Sequence, residues 1–132
     1  MIVAGVGCRR GASAPEIEAA VRAALARAKI DAGALDAIAT IAVKRDEAGI
    51  LVAAKKFGVA VIVVADTDLK TAADRGETRS DRVFALTGLP SVAEAAALAA
   101  AGPAARLISA RLAVGSATCA LAASGPMPRG AA

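Results

Sequence analysis

The chain has no histidine, no tryptophan and no tyrosine, and its 132 residues include two phenylalanines and two cysteines. Each absence removes a class of chemistry. Without histidine there is no Ser-His-Asp triad, no imidazole general base and no imidazole metal ligand. Cys8 and Cys119 fall short of a cysteine zinc cluster and of a secreted disulfide framework. They could close one disulfide, while Cys119 also reads as a small buried hydrophobe. Base-stacking platforms need aromatic rings, which Phe57 and Phe84 alone do not supply. No run of Lys or Arg exceeds two residues, so a net charge of +4 is too diffuse to mark a nucleic-acid groove. The apolar start has its arginines after it rather than before it, unlike a signal peptide. The uncharged stretches are too short, or too broken by Gly, Ser, Thr and Pro, to span a bilayer. A soluble cytoplasmic protein is expected, with no nucleic-acid or membrane partner and no resident cofactor or metal.

What is present is apolar and basic. The composition is 57% hydrophobic, with a mean hydropathy of +0.58 and a pI of about 9.6. A chain of this length makes one domain with a single core, here spanning 1–123 with a loose tail at 124–132. Much of the apolar content is alanine, which favours helices and makes each contact small. The basic balance favours anionic partners.

Periodicity gives an ordered series of elements. Ile2 to Val6 reads as a buried strand. Ser13-Ala14-Pro15-Glu16 is a capping box, opening a helix with Ile17, Val21, Leu25 and Ala28 on its buried stripe. Ile38 to Val43 reads as a second strand, followed by Lys44-Arg45-Asp46-Glu47. A helix to about Phe57 comes next, with Ile50, Ala54 and Phe57 inward and Gly58 as its stop. Val59 to Val64 is the third strand. The polar region from Asp66 to Gly88 predicts short helices at Thr67–Ala73 and Asp81–Leu86. Ser91-Val92-Ala93-Glu94 is a second capping box, and its helix runs to Ala101 before Gly102-Pro103. Arg106–Ala110 and Ser116–Leu121 read as strands joined through Leu112–Gly115, a link short enough to require antiparallel pairing. Strands alternating with helices predict an α/β fold. The architecture expected is three-layer α/β/α around a mixed, mainly parallel sheet of about five strands.

Chemistry concentrates where the first strand turns toward its helix, at Gly5-Val6-Gly7-Cys8-Arg9-Arg10-Gly11-Ala12-Ser13. In α/β proteins that edge takes ligands. Exposed backbone N–H groups favour anions there, and guanidiniums add fork-shaped donors for carboxylate or phosphate. The stretch lacks the Lys-Ser/Thr ending of a P-loop and the last glycine of a dinucleotide fingerprint, and it also reads as a solvated turn. Lys44 and Glu47 fall at the same edge if the first two strands are parallel. Lys44 would bind an anion. Glu47 is either a general acid/base or a first-turn residue facing the helix dipole. Cys8 is a candidate nucleophile. Arg111 and Gly115-Ser116-Ala117-Thr118 read as a basic hairpin turn. Asp66 and Asp68 are two carboxylates without further ligands, a thin basis for a cation site.

Four blocks, in order, carry a family resemblance. They are Gly5-Val6-Gly7-Cys8-Arg9-Arg10-Gly11, then Thr40-Ile41-Ala42-Val43-Lys44-Arg45-Asp46-Glu47-Ala48-Gly49. Thr87-Gly88-Leu89-Pro90-Ser91-Val92-Ala93-Glu94-Ala95-Ala96-Ala97-Leu98 and Gly115-Ser116-Ala117-Thr118-Cys119-Ala120-Leu121-Ala122 follow. Together they resemble the cobalamin-biosynthesis family that includes CobE and the C-terminal domain of CbiG. The last block has Ser116 where the family often has Asn, and a lysine is common in the family near Arg111.

The resemblance implies a role in building the corrin ring. With no domain ahead of the first strand, it leans to the stand-alone CobE form of the oxygen-dependent pathway. That form would bind a precorrin intermediate as carrier or accessory factor, with other pathway enzymes as possible partners. The alternative is a hydrolase opening a precorrin ring-A lactone, as the longer CbiG proteins do. A nucleotide- or phosphate-binding regulatory domain is a third reading. Corrin precursors are apolar macrocycles fringed with carboxylates, which Arg9, Arg10, Lys44 and Arg111 would pair. The candidate ligand set is Gly7, Cys8, Arg9, Arg10, Gly11, Ser13, Lys44, Ser91, Glu94, Arg111, Ser116 and Thr118. Glu47 and Cys8 are the candidate catalytic groups.

Overall fold

The apolar amino-terminal run forms β1 (Ile2–Cys8), the central strand of a five-stranded sheet, in a computed structural model that describes residues 1–44, 46–73 and 92–125. The other elements are α1 (Ala14–Arg27), β2 (Ala37–Ile41), α2 (Ala48–Phe57), β3 (Ala60–Val64), α3 (Asp66–Ala73), α4 (Val92–Ala101), β4 (Arg106–Val114) and β5 (Ala117–Ala123). The sheet order is β3-β2-β1-β5-β4. β1–β2 and β2–β3 pair parallel, and β1–β5 and β4–β5 pair antiparallel. Four strands therefore run one way and β5 runs back, so the expected mixed, mainly parallel sheet is found.

Alternation along the strands separates two helical layers. Ala4, Val6, Ile38, Cys119 and Leu121 pack with α1 and α2. Val3, Ala39, Ile41, Val64 and Ala122 pack with α3 and α4. α1 is capped by Ser13, whose hydroxyl accepts the Glu16 N–H at 3.3 Å, and it buries Ile17, Val21 and Leu25 as the periodicity predicts. Phe57 is half-buried against the core, with the Arg22 guanidinium 5.0 Å from its ring centre. Gly58 ends α2 in the left-handed conformation. α4 is apolar nearly all round and accordingly buried. It lies so close to β1 that a Cβ on Gly5 would fall on the Ala93 carbonyl oxygen.

Several boundaries differ from the sequence reading. β2 ends at Ile41, because Ala42–Lys44 turns in a 3₁₀ helix; Val43 is apolar without being in the strand. β4 extends to Val114, and Ser116 lies in the turn instead of opening β5. Arg111 is thus a strand residue. The Asp81–Leu86 helix, Ser91 and all of the tail beyond Gly125 lie outside the described residues.

β4 is irregular, with register shifts between Leu107 and Ser109 and between Ser109 and Leu112. The bulged stretch is held from both layers. From α1, Arg27 donates to Ser109 Oγ at 2.7 and 3.1 Å and to the Ala110 carbonyl. From α4, the Glu94 carboxylate accepts the Arg111 N–H at 2.9 Å. A bulge removes an amide from the ladder, and an amide shielded from water needs an acceptor; the Glu94 carboxylate supplies one to the part-buried Arg111 N–H.

Both cysteines are free thiols, so the possible disulfide is not formed. Burial pushes the Cys119 thiol up to about 12. Titration of the native protein with a thiol reagent at pH 8 is expected to label Cys8 and leave Cys119 unmodified. Two equivalents per chain should react in denaturant. Native labelling of two thiols would contradict the buried position of Cys119. Among the described residues no helix is long and apolar enough to cross a membrane.

Candidate functional site

At the carboxyl end of β1 the strand order changes direction, with β2 reached on one side and β5 on the other. Open α/β sheets bind ligands at such a switch point. Here β1 delivers the arginine loop. Arg9 to Ala12 form a turn closed by the Ala12 N–H donating to the Arg9 carbonyl at 3.0 Å. Gly11 is the third residue of that turn with φ +76°, a value that type II turns require and side-chain-bearing residues resist. The Arg9 N–H donates to the Ser116 carbonyl at 2.9 Å, which fastens the loop to the β4–β5 hairpin.

Glu47 comes to the same place. It precedes α2 at its N-cap position, yet its side chain makes no cap bond there. Its carboxylate instead accepts the Gly11 N–H, at 3.1 Å to Oε2 and 3.3 Å to Oε1. Packing brings the two together: a Cβ on Gly49 would overlap the Ala12 carbonyl oxygen, so only glycine lets the first turn of α2 sit against the loop. Cys8, the last residue of β1, is half-buried against the core. Burial pushes its thiol up, with Lys44 opposing and Glu47 reinforcing that shift. The thiol is therefore protonated at neutral pH, which blunts it as a nucleophile.

A second carboxylate organises the hairpin side. Glu16 Oε2 accepts the Ser116 N–H at 2.8 Å and the Ser116 hydroxyl at 2.7 Å, while Oε1 accepts the Ser13 hydroxyl at 3.2 Å. The Ser116 donors, ahead of Ser13, hold the Glu16 carboxyl below its ordinary value. In the sequence, Glu16 is marked only as the last residue of a capping box. No local signal reveals that it ties Ser13 to a turn 100 residues away. Thr118 donates to the Gly7 carbonyl at 3.3 Å on the α4 side of the same edge.

Gly7, Cys8, Arg9, Arg10, Gly11, Ser13, Lys44, Glu47, Ser116 and Thr118 are thus gathered at one edge. Arg9 and Arg10 are exposed, and neither forms an ion pair among the described residues. Glu94 and Arg111 sit apart from the loop, joined to each other between α4 and β4. With 0% exposure, Glu94 offers no surface to a bulky ligand. Ser91 lies outside the described residues. No three His, Cys, Asp or Glu side chains converge on a metal position among the described residues. A cleft lined by Asp68, Thr71, Ala72, Ala99, Gly102 and Pro103 lies toward the opposite edge, where α4 ends. The carboxyl edge is an open rim that presents the exposed guanidiniums of Arg9 and Arg10 on a hydrogen-bonded turn.

Comparison with known proteins places the chain in a family. The family model described as cobalamin synthesis G C-terminus matches residues 2–122. Protein CobE of a Sinorhizobium species is 39% identical over 121 residues, covering 92% of this chain and 79% of that protein. A cobalt-precorrin-5A hydrolase of Priestia megaterium is 35% identical over 98 residues, which are 74% of this chain and 26% of the hydrolase. The crystal structure of CobE, a protein from the cobalamin (vitamin B12) biosynthetic pathway, superposes with a TM-score of 0.88. It is 36% identical, and the match covers 97% of this chain and 93% of that one. The edge that carries the arginine loop, Lys44, Glu47 and Ser116 falls entirely within the matched region, and the chain belongs to the cobalamin synthesis G C-terminus family of cobalamin-biosynthesis proteins.

Proposed function

We propose that the chain binds a carboxylate-fringed precorrin or corrin intermediate at the carboxyl edge of its sheet, as a carrier or accessory factor. The observation that carries this reading is the pair of exposed guanidiniums of Arg9 and Arg10 on a loop whose backbone is tied down by the Ala12–Arg9 and Arg9–Ser116 bonds. Preorganisation lowers the ordering cost of binding. Lys44 adds a third cation at the same edge, and small residues around the loop let a flat macrocycle approach the backbone. Each rim-exposed ion pair is worth about 0.2–1 kcal/mol, so several must act together.

The test is a visible-light titration with hydrogenobyrinic acid, checked by co-elution on gel filtration at low and moderate salt. Saturable binding that weakens with salt is expected, since salt screens exposed pairs. Arg9→Ala should weaken it about two- to fivefold and flatten the salt dependence. Unchanged affinity and unchanged salt dependence in Arg9→Ala would remove the loop from the site.

The hydrolase reading is favoured by the partial match to the cobalt-precorrin-5A hydrolase. In it, the Cys8 thiol would attack the lactone carbonyl, expelling the ring oxygen as a hydroxyl and leaving a thioester, and Glu47 would activate the water that releases the carboxylate and frees the thiol. Two observations weigh against it: Glu47 is engaged by the Gly11 N–H, and the Cys8 thiol is pushed up. Turnover of a lactone-bearing precorrin that disappears in both Glu47→Gln and Cys8→Ser would favour the hydrolase over the carrier.

A further inference from the structure

The Gly11 amide is the one loop donor of the turn already engaged by a carboxylate, and that carboxylate comes from a residue with no need to be there. Glu47 could cap its own helix; it reaches instead to a glycine 36 residues earlier. The α2 amides of Ile50 and Leu51 are served by the Glu47 backbone carbonyl, at 3.1 and 3.3 Å, so the helix start does not depend on the side chain. Both carboxylate oxygens share one N–H at 3.1 and 3.3 Å on an exposed surface, which is the long end for a charge-assisted bond. The neighbouring guanidiniums of Arg9 and Arg10 have no carboxylate among the described residues.

We infer that Glu47 is an internal stand-in for a ligand carboxylate. It occupies the carboxylate subsite made by the Gly11 N–H, and binding displaces it. This rests on the reading of the loop as an anion site and specifies how that site selects. A tethered carboxylate acts at a millimolar or higher effective concentration, so a monocarboxylate at lower concentration loses the competition for Gly11. A ligand with several carboxylates engages Arg9 and Arg10 as well and wins. The subsite therefore selects polycarboxylates, and it holds the loop in shape when no ligand is bound. The displaced Glu47 side chain moves into solvent at an exposed rim, which leaves no buried charge behind.

The experiment follows the Gly11 amide by ¹H–¹⁵N NMR in the full chain while propane-1,2,3-tricarboxylate is added, with acetate as the monocarboxylate comparison. In the wild type, the tricarboxylate should shift Gly11 saturably and acetate should not at the same concentration. In Glu47→Ala the tricarboxylate midpoint should fall at least fivefold, and acetate should begin to shift Gly11. Glu47→Gln, which keeps an acceptor and the length of the side chain, should lie between the two and serves if the alanine variant does not fold. Equal midpoints in wild type and both variants, or a Gly11 amide that moves in none of them, would overturn the stand-in role. The corrin titration reads the other question separately. If Arg9→Ala weakens corrin binding and Glu47→Ala fails to tighten the tricarboxylate, the anion site stands and the displacement does not. If hydrogenobyrinic acid does not bind while the Glu47 variants still tighten the tricarboxylate, the displacement stands and the tetrapyrrole reading fails.

Discussion

Replacing Gly5 by alanine is expected to remove a large part of the protein's stability, and replacing it by valine to abolish the cooperative folding transition. The new Cβ would fall on the Ala93 carbonyl oxygen, and it would lie 2.7 Å from the Ala97 nitrogen and 2.9 Å from the Ala97 Cβ. The obstructing atoms are backbone and a methyl group, so no flexible side chain can swing aside. Relief requires α4 to lift from β1 and β5, against which it is almost completely buried. Overpacking in a well-filled core costs about 1–3 kcal/mol, occasionally more, and a rigid backbone clash belongs at the top of that range. Set against a typical stability of about 5–15 kcal/mol, this predicts a fall in the melting temperature of about 10 °C or more for Gly5→Ala. Gly33→Ala is the control, because a Cβ there meets nothing closer than Asp31 Oδ2 at 3.8 Å. Thermal melts followed by circular dichroism decide the matter: a Gly5→Ala variant melting within 2 °C or so of wild type would mean that α4 and β1 are not in such close contact.

Glu94 carries the second large effect. Its carboxylate accepts the Arg111 N–H where the bulge in β4 takes that amide out of the ladder. Glu94→Leu keeps a similar volume and leaves the amide without this acceptor. An unsatisfied buried donor costs about 1–3 kcal/mol, and this part-buried amide belongs at the lower end of that range. Glu94→Gln retains an oxygen at the same reach and should lose much less. Urea unfolding gives the difference in stability, and amide hydrogen exchange at Arg111 gives its location, since exchange there should accelerate in the leucine variant. Equal midpoints and unchanged Arg111 exchange in the two variants would show that the bond contributes nothing. The comparison also separates structure from binding. With its side chain inaccessible, Glu94 should influence a ligand only through the hairpin whose turn holds Ser116.

The contrast between Glu94 and Glu16 explains what was legible. Each occupies the last position of a Ser-x-x-Glu pattern; the first marks the start of α1, and the Ser91 of the second lies outside the described residues. For Glu16 half of the box is present, with the Ser13 hydroxyl accepting the Glu16 N–H, while the carboxylate goes to Ser116. The local half depends on neighbours along the chain and can be read from spacing. The distant half depends on which strand ends lie side by side. Strand β2 makes the same point differently. Its apolar run continues through Val43, but the chain leaves the sheet after Ile41 and turns in a 3₁₀ helix, because apolarity alone does not specify ladder hydrogen bonding.

The alternation of short apolar runs with amphipathic helices, the lack of histidine and the glycine–arginine junction after the first strand determined an α/β fold with a cationic edge, without imidazole chemistry. Those properties follow from periodicity, composition and turn preferences, each set within a few residues. Only the tertiary structure decided that Glu47 rests on Gly11, that Glu16 binds Ser116, and that Glu94 belongs to a bulge in β4 and not to the rim. Carboxylates find their donors through space, and the distances involved are set by the packing of α2 on the loop through Gly49 and of α4 on β1 through Gly5. Close approach of that kind has no periodic signature, since a glycine that admits a neighbouring backbone looks, in sequence, like any other glycine.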